Sequence, residues 1–70
     1  MWIIASDVIL NVDMADTIYV SESGVLRFER AGVCYELANV PDNAMQQVAV
    51  GIAEGKRFIE FEEATIVREG

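Results

Sequence analysis

Between Val8 and Ala38 apolar and polar residues alternate in four consecutive runs, and the breaks between them are short. Val8, Leu10 and Val12 alternate with Ile9, Asn11 and Asp13. Ile18 and Val20 alternate with Thr17, Tyr19 and Ser21, and Leu26 and Phe28 with Val25, Arg27 and Glu29. Val33, Tyr35 and Leu37 alternate with Cys34, Glu36 and Ala38. A period of two is the signature of a half-buried strand. A parallel crossover needs about a dozen residues or more, so connections this short force antiparallel neighbours. The breaks carry turn chemistry: Asp13 to Asp16, Ser21-Glu22-Ser23-Gly24, and Ala31-Gly32. Gly24 is placed to take the left-handed conformation of a bulged hairpin loop. Trp2–Ala5 adds a short fifth strand ahead of these.

After Pro41 the period changes. Met45, Val48, Ala49 and Ile52 stand at helical spacing and predict a helix over about 42–54 whose face covers the sheet. Asp42 is the expected N-cap, and Val40, kept extended by the following proline, stops an earlier start. Gly55 ends the helix, with Lys56 and Arg57 near the negative end of its dipole. Phe58–Val67 returns to strand character, and the doublet Glu62-Glu63 interrupts its alternation with a bulge or bend. The expected fold is α+β: an antiparallel meander of about five strands, one helix packed across it and a closing C-terminal strand, as a single domain over 1–70. A small open barrel and a flat sheet paired across a dimer axis both satisfy the pattern.

Size and composition bound what such a domain does. A 70-residue chain buries only about 60% of the surface its unfolded form exposes, so its core is marginal. Small domains add disulfides, a metal or a partner subunit. Cys34 is the only cysteine and there is no histidine, which removes an internal disulfide and a zinc site. With 53% hydrophobic residues, self-association is the remedy left, and a homodimer is the favoured form. Val50, Gly51 and Ala53 are unused by the sheet-facing stripe. Gly51 in mid-helix costs about 1 kcal/mol relative to alanine, which points to a close approach. Gln47, Val50, Gly51 and Glu54 are therefore the candidate interface, extended by Trp2 and Ile4 on an edge strand.

Twelve acidic residues against five basic ones leave a net charge of -7. Such a chain works against the phosphate field, so nucleic acid is not an expected partner, whereas a basic protein is. An acidic mimic of nucleic acid, occupying the groove of a nucleic-acid-binding protein, is the alternative. No basic leader and no long apolar run is visible, so the cytosol is the expected compartment and no membrane partner is implied.

No catalytic or cofactor-binding set emerges. Cys34 has no histidine to deprotonate it and no cationic neighbour in sequence, so it reads as a quiet packing thiol. Asp7, Asp13 and Asp16 are the candidate hard-cation ligands, and turn-capping is the favoured account of them. Glu60, Glu62, Glu63 and Glu69 read as a solvated face that discourages edge-to-edge pairing. Gly51 and Gly55 lie in and after a helix, which is the wrong place to cradle a phosphate.

The segment Ile9-Leu10-Asn11-Val12-Asp13-Met14-Ala15-Asp16-Thr17-Ile18 resembles the opening of short uncharacterised bacterial and prophage-encoded proteins, and more loosely that of FlbD-type flagellar proteins. The resemblance covers about a third of the chain. It implies a bacterial or phage origin and a family without a known activity, and it carries no functional residue across. The chain itself is expected to be a non-enzymatic accessory or interaction domain.

Overall fold

A computed structural model describes residues 1–69. The chain is α+β. The strands are β1 (Trp2–Ile4), β2 (Ile9–Asn11), β3 (Thr17–Val20), β4 (Leu26–Arg30), β5 (Val33–Ala38), β6 (Phe58–Glu60) and β7 (Thr65–Arg68). A turn of 3₁₀ helix, Val12–Met14, follows β2, and the helix α1 spans Ala44–Ala53. No helix among the described residues is long and apolar enough to cross a membrane.

The expected single meander divides into two sheets. One has three strands in the order β2-β1-β6, the other four in the order β3-β4-β5-β7. The division falls at the Asp-rich break. There the Asn11 side chain accepts a hydrogen bond from the Asp13 backbone N–H at 3.0 Å, and the Ala15 N–H closes on the Val12 carbonyl at 3.0 Å. Short polar side chains that bond their own backbone compete with a strand ladder, and here they end it. Val12 is buried at this corner, so the turn is anchored rather than loose.

The four-stranded sheet is antiparallel throughout, with Phe28 opposite both Ile18 and Tyr35, and Leu37 opposite both Leu26 and Ile66. Its β4–β5 connection places Ala31 at φ 49° and Gly32 at φ 84°. Two positive φ values in succession define the type I′ turn, whose twist matches that of the strands it joins. The three-stranded sheet departs from expectation: β1 and β6 are parallel, framed by Trp2 N–H to Arg57 O at 2.8 Å and Phe61 N–H to Ile4 O at 2.9 Å.

The predicted strand over 58–67 is cut at the expected bend. Glu62 and Glu63 turn outward while Phe61 and Ala64 are buried, so β6 joins one sheet and β7 the other. This corner is bolted to the β1–β2 turn. The Ser6 backbone N–H and its hydroxyl both donate to the Ala64 carbonyl, at 2.9 and 2.8 Å, and the Asp7 carboxylate accepts from the Ile66 N–H at 3.0 Å.

The helix begins later than predicted and is turned about its axis. Asn43, not Asp42, occupies the N-cap position, and its side chain accepts from Gln47 Nε2 at 2.8 Å instead of capping the first turn. The helix ends as expected. Gly55, at φ 68°, donates to Ile52 O, and Lys56 donates to Gly51 O at 2.9 Å, the paired bonds of a Schellman motif. Ala44, Val48 and Gly51 are the buried residues, while Ala49 and Ile52 are exposed and Met45 lies at the margin. The covering face is thus rotated by about one residue from the predicted stripe, in a helix with 3.6 residues per turn. From Val48 to Ala53 every residue is apolar or glycine, so the pattern fixes the helix but not its phase.

The core gathers Ile3, Leu26, Phe28, Leu37, Val48 and Phe61 between the sheets and the helix. The close approach that Gly51 provides is internal. A Cβ there would lie 2.7 Å from Met1 Sδ and 3.4 Å from Ile59 Cγ2. The expectation that Gly51 makes room for another subunit is replaced by packing within the chain.

Candidate functional site

Alternation along β1 sends Ile3 into the core and Trp2 and Ile4 to the opposite side. Register then decides their neighbours. Trp2 is flanked by Asn11 on β2 and Phe58 on β6, and Ile4 by Ile9 and Glu60. Strand partners at one level project to the same side of a sheet. The outer face of the three-stranded sheet therefore carries Trp2, Ile4, Ile9 and Phe58 with one amide and one carboxylate. Trp2 is 47% exposed, Phe58 51% and Ile9 59%. Trp2 and Phe58 are thus adjacent and half-exposed on the side of this sheet away from the core.

The outer face of the four-stranded sheet is built differently. Arg27 at its centre donates to the Tyr19 hydroxyl at 2.6 Å and to Cys34 Sγ at 3.1 Å, and Tyr19 donates to Glu29 at 3.0 Å. The guanidinium carbon lies 5.3 Å from the Tyr19 ring centroid. Glu29 approaches Arg27 at 3.8 Å, and Glu36 lies 4.0 Å from Arg27 Nε and 3.5 Å from Arg68. Burial first, then the bond to Glu29, raises the Tyr19 phenol above its ordinary 10.0, while the Arg27 charge opposes them. The Cys34 bond pushes the Arg27 guanidinium further up, against the effect of desolvation.

Cys34 accordingly has the cationic neighbour that its place in the sequence did not provide. Arg27 is opposite Glu36, and Glu29 is opposite Cys34, so the arginine reaches the sulfur diagonally. That thiol is buried on the outward side of its sheet and stands apart from the main core.

The residues singled out as an interface do not converge. Gly51 approaches Ile59, which shares the inward side with Ile3, so the helix lies on the side of the sheet that Trp2 and Ile4 turn away from. Gln47 is half-buried, Gly51 is covered by Met1, and Val50 and Glu54 are exposed on the helix and its C-cap. Trp2 and Ile4 instead join Phe58 and Ile9. Phe58 follows from alternation with Ile59, but its place beside Trp2 depends on a parallel pairing that no local signal announces.

The three aspartates considered as cation ligands are engaged separately. Asp7 holds the Ile66 N–H, Asp13 pairs with the N-terminal ammonium at 3.0 Å, and Asp16 accepts from the Ala31 N–H at 3.2 Å. Among the described residues no group of three or more His, Cys, Asp or Glu side chains is placed to hold a metal ion. The remaining carboxylates are spread over separate corners, with Glu22 in the β3–β4 turn, Asp42 before the helix, Glu54 after it and Glu62-Glu63 at the β6–β7 bend. Compared with protein families, curated proteins and solved structures, the chain matches none.

Proposed function

We propose that the protein is a non-enzymatic, self-associating interaction domain, and that the outer face of β2-β1-β6 is its contact with a second copy. One observation carries this: Trp2 and Phe58 stand adjacent and half-exposed on a face with a single carboxylate, in a chain of net charge -7. Interface cores are depleted of charge and enriched in aromatic residues, and two-fold pairing puts the same patch on both partners. The carboxylates elsewhere supply the repulsion that keeps other faces apart. Their spread over several corners supports this reading over mimicry of a nucleic acid, which calls for one dense acidic stripe.

Magnitude sets the strength of the contact. Three short strands spaced about 4.8 Å apart project only on the order of 150 Å². A stable interface buries roughly 800 Å² per partner. The dimer is thus expected to be weak. Sedimentation across a micromolar concentration series should show reversible dimerisation of the wild type. Trp2→Glu and Phe58→Glu should each give monomer with an unchanged circular dichroism spectrum. A wild type that stays monomeric throughout the series, or folded variants that dimerise unaltered, overturns the proposal.

A further inference from the structure

We propose that the free edge of β2, with the groove beside it, takes up an extended peptide segment of another protein, one that alternates basic and bulky apolar residues. The geometry begins with the backbone. Val8 accepts from the Ala5 N–H at 2.9 Å and Val12 donates to Met1 O at 2.9 Å, with Leu10 opposite Ile3 between them. In an antiparallel ladder alternate residues direct their peptide groups to the same side. Val8, Leu10 and Val12 therefore bond β1, and Ile9 and Asn11 turn their N–H and C=O groups outward. Because β2 ends its sheet, those groups form a strand-accepting edge.

What lies beside that edge separates it from an ordinary one. The two sheets part along β2 and leave a groove of about 580 Å³, within the size range of built ligand sites. Leu10, Phe28 and Tyr35 line it, and Ile9, Met14 and Val33 extend its apolar wall to the surface. A strand added to β2 directs every second side chain to one side of the sheet. Such a strand places bulky apolar side chains in the groove while its main chain bonds Ile9 and Asn11, so a single occupant satisfies both features.

Charge selects the remaining side chains. Glu69 borders the groove, as does Glu29, which Tyr19 and Arg27 already engage. Asp16, bonded to the Ala31 N–H, and Asp13, paired with the N-terminal ammonium, flank the adjoining turn. Arg30 is the one cation among the lining residues, and its Nη1 is directed to Met14 Sδ at 3.4 Å. A second copy brings the same -7 charge to this edge, whereas a free basic strand brings the opposite charge and an unpaired backbone. The proposal does not rest on dimerisation through Trp2 and Phe58, although their face shares Ile9 and Asn11 with this edge.

The test uses the whole chain, isotopically labelled, and a blocked six-residue peptide alternating lysine with valine and phenylalanine. Two control peptides carry glutamate for lysine, or N-methyl groups on the bonding edge of the backbone. Nuclear magnetic resonance titration should show saturable shifts centred on Ile9, Asn11, Val33 and Tyr35. Affinity should fall by roughly tenfold or more for either control and for the folded variant Val33→Lys, tenfold being about 1.4 kcal/mol. Absence of saturable binding overturns the proposal, and so do shifts centred on Trp2 and Phe58. Equal binding of the N-methylated peptide overturns strand addition. Concentration-dependent shifts of Val33 and Tyr35 without peptide assign the groove to a second copy and overturn it as well.

Discussion

The two sheets of this protein bury their inner faces in one core and treat their outer faces in opposite ways. On the four-stranded sheet Arg27 draws Tyr19, Glu29, Cys34 and Glu36 into one network, so most of the polar alternates find partners within the chain, Arg27 Nε excepted. On the three-stranded sheet the alternates are mostly apolar, Trp2, Ile4, Ile9 and Phe58 beside Asn11 and Glu60, and Trp2, Ile9 and Phe58 stay open. Alternation says which side of a strand is inward. It does not say what the other side is for. That depends on which strands become neighbours, because a polar network or an apolar patch exists only when several strands contribute to the same level.

The largest expected effect tests whether the two sheets stand or fall together. Ile3 and Leu37, one from each sheet, are fully buried in the same cluster. Ile3→Ala and Leu37→Ala should each cost about 2–5 kcal/mol. The fluorescence of Trp2, on the smaller sheet, should be lost at the same denaturant midpoint as the circular dichroism signal. A Trp2 transition that moves alone in Ile3→Ala breaks the picture of one cooperative unit.

Smaller effects are expected where the helix meets the three-stranded sheet. Gly51→Arg has no room beneath Met1 and beside Ile59 and should cost on the order of 1–3 kcal/mol in equilibrium unfolding. Gly51→Ala should change stability by less than about 1 kcal/mol, because a movable Met1 thioether offsets the gain in helix propensity. A severe loss with alanine would show that Met1 is rigidly held.

Arg27→Met tests the bonded face. It removes the donor to the Tyr19 hydroxyl and Cys34 Sγ and the cation beside Glu29 and Glu36, in a half-buried setting. The expected cost is about 1–2 kcal/mol in urea unfolding, within the span for bonds to charged groups. A neutral result would make the network surface decoration.

The smallest effect is a pH dependence on the same face. The folded chain holds the Tyr19 proton to higher pH than the unfolded chain does. The contribution of this group is therefore fully present below about pH 10 and is lost as pH rises through the folded value, since there the unfolded state binds fewer protons. Glu29→Gln should bring one of the two tyrosine transitions to lower pH in phenolate absorbance. An unshifted titration would remove Glu29 as a cause and leave burial alone.

Much of the fold is written locally. The limits of β4 and β5, the turn at Ala31-Gly32, the bend at Glu62-Glu63 and the glycine that stops the helix all follow from side-chain period and backbone preference, which act over a few residues. The tertiary structure alone decided that the strands fall into two sheets, that β6 runs parallel to β1, and that Ala44, Val48 and Gly51 are the covering face of an almost wholly apolar helix. It also decided that Arg27 reaches Cys34 and that Phe58 lies beside Trp2. Each of these joins residues far apart in the chain or chooses among locally equivalent orientations. Sequence period carries a direction for each side chain and no information about the neighbour it meets; that neighbour is fixed only when strands pair and the core closes.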